Sequence, residues 1–170
     1  RQRLSGIAIV AKRLRALIWC AVSTVAQTED DKISLPHQES EAKALCEREG
    51  WLIVDTLRVP GHSRHYNDIH KMNRDMLADG IDALDKLMRH WEAKDFDVLI
   101  CRDSERFARK QPSHAAIIAE TIESGARIYS FADSWIDEQN YPMFIAMAGY
   151  KTASDVKRLV KGRTVAMRER

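Results

Sequence analysis

The stretch LIWCAVSTVAQ, residues 17–27, decides the prediction of the fold. Its first half is entirely apolar, as expected of a strand that is buried on both faces of a sheet. The run then stops at two adjacent hydroxyl side chains, Ser23 and Thr24. Ligands of parallel sheets bind at the carboxyl ends of the strands, so Ser23 is expected at the edge where chemistry takes place. Taken alone, a serine here is more often a turn residue than a nucleophile.

Short apolar runs alternate with segments of helical period along the rest of the chain. The runs at 51–57, 96–101 and 126–131 predict three further strands. The segments between them predict helices, the first with Ser34 as its N-cap and Gly50 after its last turn. This alternation predicts an α/β fold with a mostly parallel central sheet and helices on both faces.

Two segments fall outside this alternation. Residues 58–80 predict a long irregular loop, which in a compact domain tends to be functional or mobile. After Pro142 a helical pattern runs to the end of the chain, about 40 Å at 1.5 Å per residue. Such a helix is too long for a domain of this size to cover, so it is expected to contact a partner subunit, nucleic acid or both. The predicted organisation is a basic extension at 1–15, an α/β domain at 16–141 and a long helix at 142–170.

Composition and charge narrow the class of protein. The chain has 170 residues, of which 45% are hydrophobic and 31% charged, as in a soluble globular domain. Residues 1–15 carry five basic and no acidic side chains, and residues 151–170 carry seven basic and two acidic ones. Positive charge at both ends favours a polyanionic partner. No apolar stretch has the length of a membrane span. The cysteines are few and far apart, which indicates reduced thiols in a cytoplasmic protein: Cys20, Cys46 and Cys101.

A second chemical cluster, DSERFARK at residues 103–110, follows the third predicted strand. On a helical turn Arg106 and Arg109 share one side. Guanidinium groups suit phosphate oxygens because they are planar and permanently charged. A hydroxyl that faces two arginines can attack a phosphodiester while the developing negative charge is stabilised. Ser23, Arg106 and Arg109 are therefore the candidate catalytic residues.

Four short motifs occur along the chain: VST followed by Gln27, SLPHQ at 34–38, EREGW at 47–51 and ERFAR at 105–109. With these motifs the chain resembles the catalytic domain of the serine recombinases, the resolvase–invertase and large serine integrase family. The resemblance extends from about Leu17 to the end of the chain, with its motifs in the family's order and spacing.

The resemblance implies a mechanism. Ser23 would attack a DNA phosphodiester, form a phosphoserine link and release a 3′-hydroxyl, and strand exchange and religation would follow. Arg106 and Arg109 would bind the scissile phosphate, and Glu105 would orient an arginine or assist proton transfer. No metal and no other cofactor is implied.

The resemblance also implies partners. These are double-stranded DNA and further copies of the chain, as a homodimer and, in the synaptic complex, a tetramer. A DNA-associated protein in the cytoplasm, encoded by a bacterium or a phage and without membrane contact, is expected. Gln38 would support the site. The basic side chains of the last helix would contact DNA: Lys157, Arg158, Lys161 and Arg163.

Several positions depart from the family pattern. Ala21 stands two residues before the candidate nucleophile, where the family usually has an arginine, and Ile81 stands where the family has another. Glu105 replaces the usual aspartate. Two versions of the function follow. In one, Arg64 or Arg74 supplies the missing charge; in the other, an impaired relative still binds DNA and self-associates.

Three other functions stay open. A nucleotide-binding α/β domain is disfavoured because neither G-x-G-x-x-G nor G-x-x-x-x-G-K-[ST] occurs. A metal site would use His62, His65 and His70, although histidines in a polar loop more often face solvent. A DNA-binding regulator without catalysis would use the basic tail, but no helix-turn-helix pattern follows it.

Overall fold

The computed structural model describes residues 11–22, 34–62, 66–108 and 112–147. Within them, one five-stranded sheet has the strand order β2–β1–β3–β4–β5. Strands β1 to β4 are mutually parallel, and β5 pairs antiparallel with β4. The strands are β1 (Arg15–Ala21), β2 (Leu52–Val59), β3 (Val98–Cys101), β4 (Arg127–Ser130) and β5 (Ser134–Ile136).

The helices follow the strands as an α/β chain requires. They are α1 (Leu35–Glu49), α2 (Ile69–Ala78), α3 (Ala83–Ala93), α4 (Pro112–Glu123) and α5 (Tyr141–Met147), with a 3₁₀ turn at Ser104–Arg106. The predicted ends of α1 are confirmed. The Ser34 side chain accepts a hydrogen bond from the backbone N–H of His37, and Gly50 ends the helix in the left-handed region at φ 71°.

Successive side chains of β1 enter two different cores, because a strand points alternate residues to opposite faces. Leu17, Trp19 and Ala21 pack in the larger core, to which α2, α3, α4 and α5 contribute. Ala16, Ile18 and Cys20 pack in a smaller core with the buried residues of α1. Helices therefore lie on both faces of a mostly parallel sheet, which confirms the predicted fold class.

The prediction of an irregular segment over residues 58–80 was wrong for residues 58–59 and 69–78. Strand β2 continues to Val59, and α2 occupies Ile69–Ala78. Asp68 caps α2 by accepting a hydrogen bond from His70 N at 2.9 Å, and Met72 and Met76 are fully buried. The cap and the two methionines one turn apart are a helix signal, but a short helix with mostly polar residues gives a weak one.

Other sequence predictions have mixed outcomes. The cysteines Cys20, Cys46 and Cys101 are buried free thiols, as expected. The antiparallel edge strand β5 was not predicted. The predicted long C-terminal helix is described only as α5, and its remainder lies outside the described residues. None of the described helices is long and apolar enough to cross a membrane.

Candidate active site

The candidate site lies at the carboxyl ends of two neighbouring parallel strands, β1 and β3. Their register places Trp19 opposite Cys101. Strand β1 leads into Val22, whose N–H donates to the carbonyl oxygen of Val59 at 3.1 Å. Strand β3 leads into the 3₁₀ turn that contains Arg106. Ser23 follows Val22 in the chain and lies outside the described residues.

The turn that carries Arg106 is attached to strand β1. The indole Nε1 of Trp19 donates a hydrogen bond to the backbone oxygen of Arg106 at 3.2 Å. The Trp19 ring also packs edge-on against Phe107, with ring centroids 5.9 Å apart, and both aromatic side chains are buried. The arginine turn is therefore held beside the strand that leads to Ser23.

The Arg106 side chain is oriented by a carboxylate of its own turn. Asp103 Oδ2 accepts a hydrogen bond from Arg106 Nε at 3.1 Å, and Oδ1 accepts one from Arg106 N, also at 3.1 Å. The guanidinium is mostly covered, with 18% of the side chain exposed. No described residue accepts a hydrogen bond from its terminal nitrogens Nη1 and Nη2. These two nitrogens are the donors that an anion can use.

Gln38 of α1 binds the end of β1 from the face of the sheet opposite to the Trp19 side chain. Its Nε2 donates to the carbonyl oxygen of Ala21 at 3.0 Å, and its Oε1 accepts from Ala21 N at 3.1 Å. Both residues are buried, Ala21 completely. Buried backbone groups without partners are costly, so this pair of hydrogen bonds stabilises the end of the strand. Gln38 thereby fixes the backbone two residues before Ser23.

Two further guanidiniums at this edge are held by carboxylates of α1. Arg58, near the end of β2, contacts Glu39 through Nε–Oε2 at 2.8 Å and Nη2–Oε1 at 2.7 Å. Arg102, directly after β3, contacts both carboxylate oxygens of Glu41 through Nη1, at 3.1 and 2.8 Å. In each of these guanidiniums a carboxylate engages one terminal nitrogen, whereas Arg106 binds Asp103 through Nε and no described residue accepts from its terminal nitrogens. Arg106 is therefore better disposed to bind a phosphate.

The Glu39 contact predicts a loss of stability in acid. Hydrogen bonds from Arg58 and then Lys43 lower the pKa of Glu39 to about 2. A carboxyl with a lowered folded-state pKa stabilises the fold above its ordinary pKa, and this contribution is lost as the pH falls. Because Arg58 is 51% exposed, the contribution is expected to be about 1 kcal/mol. Glu39→Gln should lower the free energy of unfolding by that amount at neutral pH.

The difference between wild type and Glu39→Gln should disappear as the pH falls from 4.5, the ordinary value for this carboxyl, towards about 2. Urea denaturation at a series of pH values measures it. Glu47→Gln, an exposed substitution on the same helix, is the matched control and should change little. A Glu39→Gln deficit that stays constant over this range would contradict the prediction.

Comparisons with known proteins identify the family. The sequence model of the family described as "Resolvase, N terminal domain" matches residues 16–169. The chain belongs to this family. A comparison with curated proteins gives no match. The predicted family resemblance is thus confirmed for nearly the whole chain.

Three solved structures share the resolvase fold with this chain. The N-terminal catalytic domain of TP901-1 integrase is 17% identical, with a TM-score of 0.56 over 86% of this chain and 98% of that one. The C-terminal catalytic domain of ISC1926 TnpA, an IS607-like serine recombinase, is 18% identical, with a TM-score of 0.51 over 91% and 99%. A resolvase family site-specific recombinase from Streptococcus pneumoniae is 18% identical, with a TM-score of 0.55 over 92% and 95%. At these identities the likeness concerns the fold alone.

Only some of the predicted site residues lie in the described part of the chain, and two of them contact strand β1. Arg106 and Gln38 both form hydrogen bonds with β1, Arg106 with Trp19 and Gln38 with Ala21. Glu105 is exposed in the 3₁₀ turn, and Arg74 is exposed on α2. The others lie outside the described residues: Ser23, Arg64, Arg109, Lys157, Arg158, Lys161 and Arg163.

One residue that contacts the predicted site was missed by the sequence reasoning. Asp103, rather than Glu105, supplies the carboxylate that contacts Arg106 Nε. The family motif predicts Glu105 for this role because it lies next to Arg106. The sequence contains a signal for Asp103, since an aspartate directly before a helical turn commonly caps a backbone N–H of that turn.

Two of the three histidines of the alternative metal site lie in the described part of the chain. His62 is buried, contacts Asp79 Oδ2 through Nε2 at 3.0 Å and stacks on Tyr66. His70 is exposed, and His65 lies outside the described residues. Over the described part of the chain, no group of three or more histidine, cysteine or acidic side chains is arranged to hold a metal ion.

Proposed function

We propose that this resolvase-family domain is the catalytic domain of a site-specific DNA recombinase, with Ser23 as its nucleophile. The Ser23 oxygen forms a bond to the scissile phosphorus, and the bond from phosphorus to the 3′-oxygen breaks. The serine proton passes to a base, and the departing 3′-oxygen takes up a proton to become a hydroxyl. The energy of the broken bond is kept in the phosphoserine link, so religation after strand exchange needs no ATP.

The hydrogen bond from Trp19 to the backbone of Arg106 is the observation that carries the proposal. It joins the strand that leads to Ser23 to the turn that supplies a guanidinium. Negative charge builds up on the non-bridging oxygens during attack, and preorganised cationic donors stabilise it. Arg106 would use Nη1 and Nη2 for this purpose, and Arg109 would add a second guanidinium.

The partners belong to the same proposal. Double-stranded DNA would be contacted by Lys157, Arg158, Lys161 and Arg163, in a segment that carries seven basic and two acidic side chains between residues 151 and 170. Two copies would associate through the segment at 142–170 and four in the synaptic complex. Residues 1–15 would form a basic extension of the catalytic unit at 16–141.

A covalent-capture experiment tests the chemistry. The protein is incubated with a library of double-stranded DNA, the mixture is denatured in detergent, and DNA that stays attached to protein is isolated and sequenced. Wild type should retain DNA of a common sequence, and Ser23→Ala should retain none. Thr24→Val is the matched control, since it removes the neighbouring hydroxyl and should still form the link. Attached DNA in Ser23→Ala would rule out Ser23 as the nucleophile.

An impaired relative is the second candidate, and the burial of two positions favours it. Ala21 is completely buried and Ile81 is 9% exposed, so apolar core residues occupy the positions of two family arginines. Such a protein would bind DNA and self-associate without forming a covalent link. Its DNA affinity should fall steeply with salt, because basic side chains displace counterions from the phosphates. Titration of DNA at several salt concentrations, beside the capture experiment, separates the two candidates.

A further inference from the structure

Asp103 makes two contacts with Arg106 that have different roles. Oδ1 caps the backbone N–H of Arg106 and Oδ2 binds Nε of its guanidinium, each at 3.1 Å. The first contact closes the turn. The second sets the direction of the guanidinium, because Nε is engaged and rotation about the last side-chain bonds would break this hydrogen bond.

The turn has a second anchor that does not touch the guanidinium. Asp133 Oδ2 accepts hydrogen bonds from Ser104 N at 3.0 Å and from Ser130 Oγ at 2.8 Å. With the Trp19 contact at Arg106 O, the backbone of the turn is held from both sides. The structure of the turn therefore depends on several residues, whereas the direction of the Arg106 guanidinium depends on Asp103.

An arginine can bind a phosphate side-on, through Nε and one terminal nitrogen, or end-on, through both terminal nitrogens. With Nε bound to Asp103, only the end-on arrangement is available to Arg106. We propose that Asp103 is the positioning residue of the active site and presents Arg106 end-on to the scissile phosphate. This inference rests on the proposed function, since it assigns a role within the same site.

The charge of Asp103 and its hydrogen bond to Arg106 affect different steps of the reaction. A carboxylate beside Arg106 reduces the positive potential at the phosphate site, which weakens attraction of DNA. Its hydrogen bond orients the guanidinium and thereby speeds the chemical step. Loss of the charge and of the Nε contact should therefore slow the reaction without weakening DNA binding.

Asp103→Asn tests whether the reaction rate falls while DNA binding is kept. The asparagine keeps an oxygen for the Arg106 N–H, but its other terminal atom is a donor and cannot accept from Nε. Single-turnover formation of the DNA-linked species should be about 10-fold to 100-fold slower at saturating DNA. The half-saturating DNA concentration should be unchanged or lower. Asp133→Asn, which keeps an acceptor for the other anchor of the turn, should retain a rate within about threefold of wild type.

A double substitution distinguishes positioning from general damage. If Asp103 acts through Arg106, Asp103→Asn should cause no further slowing in protein that already carries Arg106→Ala. A rate loss in Asp103→Asn that is as large with Arg106→Ala as without it would overturn the proposal. So would weaker DNA binding with an unchanged rate at saturating DNA.

Nuclear magnetic resonance tests the contact without any cleavage. The Nε–Hε signal of Arg106, assigned through its loss in Arg106→Lys, should exchange slowly with water in wild type and in Asp133→Asn. It should exchange rapidly in Asp103→Asn. A slow signal that survives in Asp103→Asn, or a rapidly exchanging one in wild type, would overturn the positioning role. If wild type forms no DNA-linked species, the proposed function fails while this measurement still decides the contact.

Discussion

Replacing Arg106 with alanine is expected to slow formation of the DNA-linked species by about 10²–10³-fold. That is the usual effect of removing one preorganised donor from a site where negative charge develops. The free energy of unfolding should change by no more than about 1 kcal/mol, since the backbone oxygen that accepts from Trp19 is retained. Single-turnover kinetics with DNA selected by the capture experiment, together with urea denaturation, measure the two quantities.

Two further variants show whether the effect belongs to the guanidinium of Arg106. Arg106→Lys keeps the charge but lacks Nε and the planar pair of terminal nitrogens, so it should recover only part of the rate. Arg102→Lys alters a guanidinium that Glu41 already binds and should react at nearly the wild-type rate. An Arg106→Ala protein as fast as wild type would exclude this residue from the site.

Replacing Gln38 with leucine is expected to give the largest loss of stability. The substitution leaves the N–H and the carbonyl oxygen of Ala21 without their side-chain partners in a buried position. Each unsatisfied buried group costs about 1–3 kcal/mol, so the loss of both partners should lower the free energy of unfolding by about 2–6 kcal/mol. The end of β1 should also lose its register beside Val59, and the DNA-linked species should form more slowly. Urea denaturation and single-turnover kinetics measure both effects.

Gln38→Glu adds a pH test of the same contact. A glutamate can accept from Ala21 N at any pH, but it can donate to Ala21 O only when protonated. Burial and the facing carbonyl favour the protonated form, so the pKa of the introduced carboxyl should be raised in the folded state. Its stabilising contribution is then present at low pH and lost as the pH rises through that pKa.

The deficit of Gln38→Glu relative to wild type should therefore grow between about pH 5 and pH 8. Gln139→Leu, at an exposed position, is the matched control and should alter stability by less than about 0.5 kcal/mol. A deficit that shrinks as the pH rises would show that the carboxyl is ionised in the fold and that the hydrogen-bond pair with Ala21 is not re-formed.

Strands and helix ends could be predicted from the sequence where residues close together in the chain indicate them. The apolar run before Ser23 predicted β1, and Ser34 and Gly50 predicted the two ends of α1. Helix α2 was missed because it spans only Ile69–Ala78 and just Met72 and Met76 of its residues are buried. A short helix with few apolar residues is stabilised mainly by its packing on the rest of the domain, which the local sequence does not show.

By itself, the sequence determined the alternation of strands and helices, the helix caps and the family, because each of these depends on residue types at short, regular spacing. Only the tertiary structure decided which side chains meet at the end of β1. Trp19 and Arg106 are 87 residues apart in the chain, and Ala21 and Gln38 are 17 apart. Such contacts depend on the directions of side chains from different elements, which periodicity does not specify. The choice of Asp103 over Glu105 as the carboxylate on Arg106 Nε has the same cause, since it follows from the backbone path of one turn.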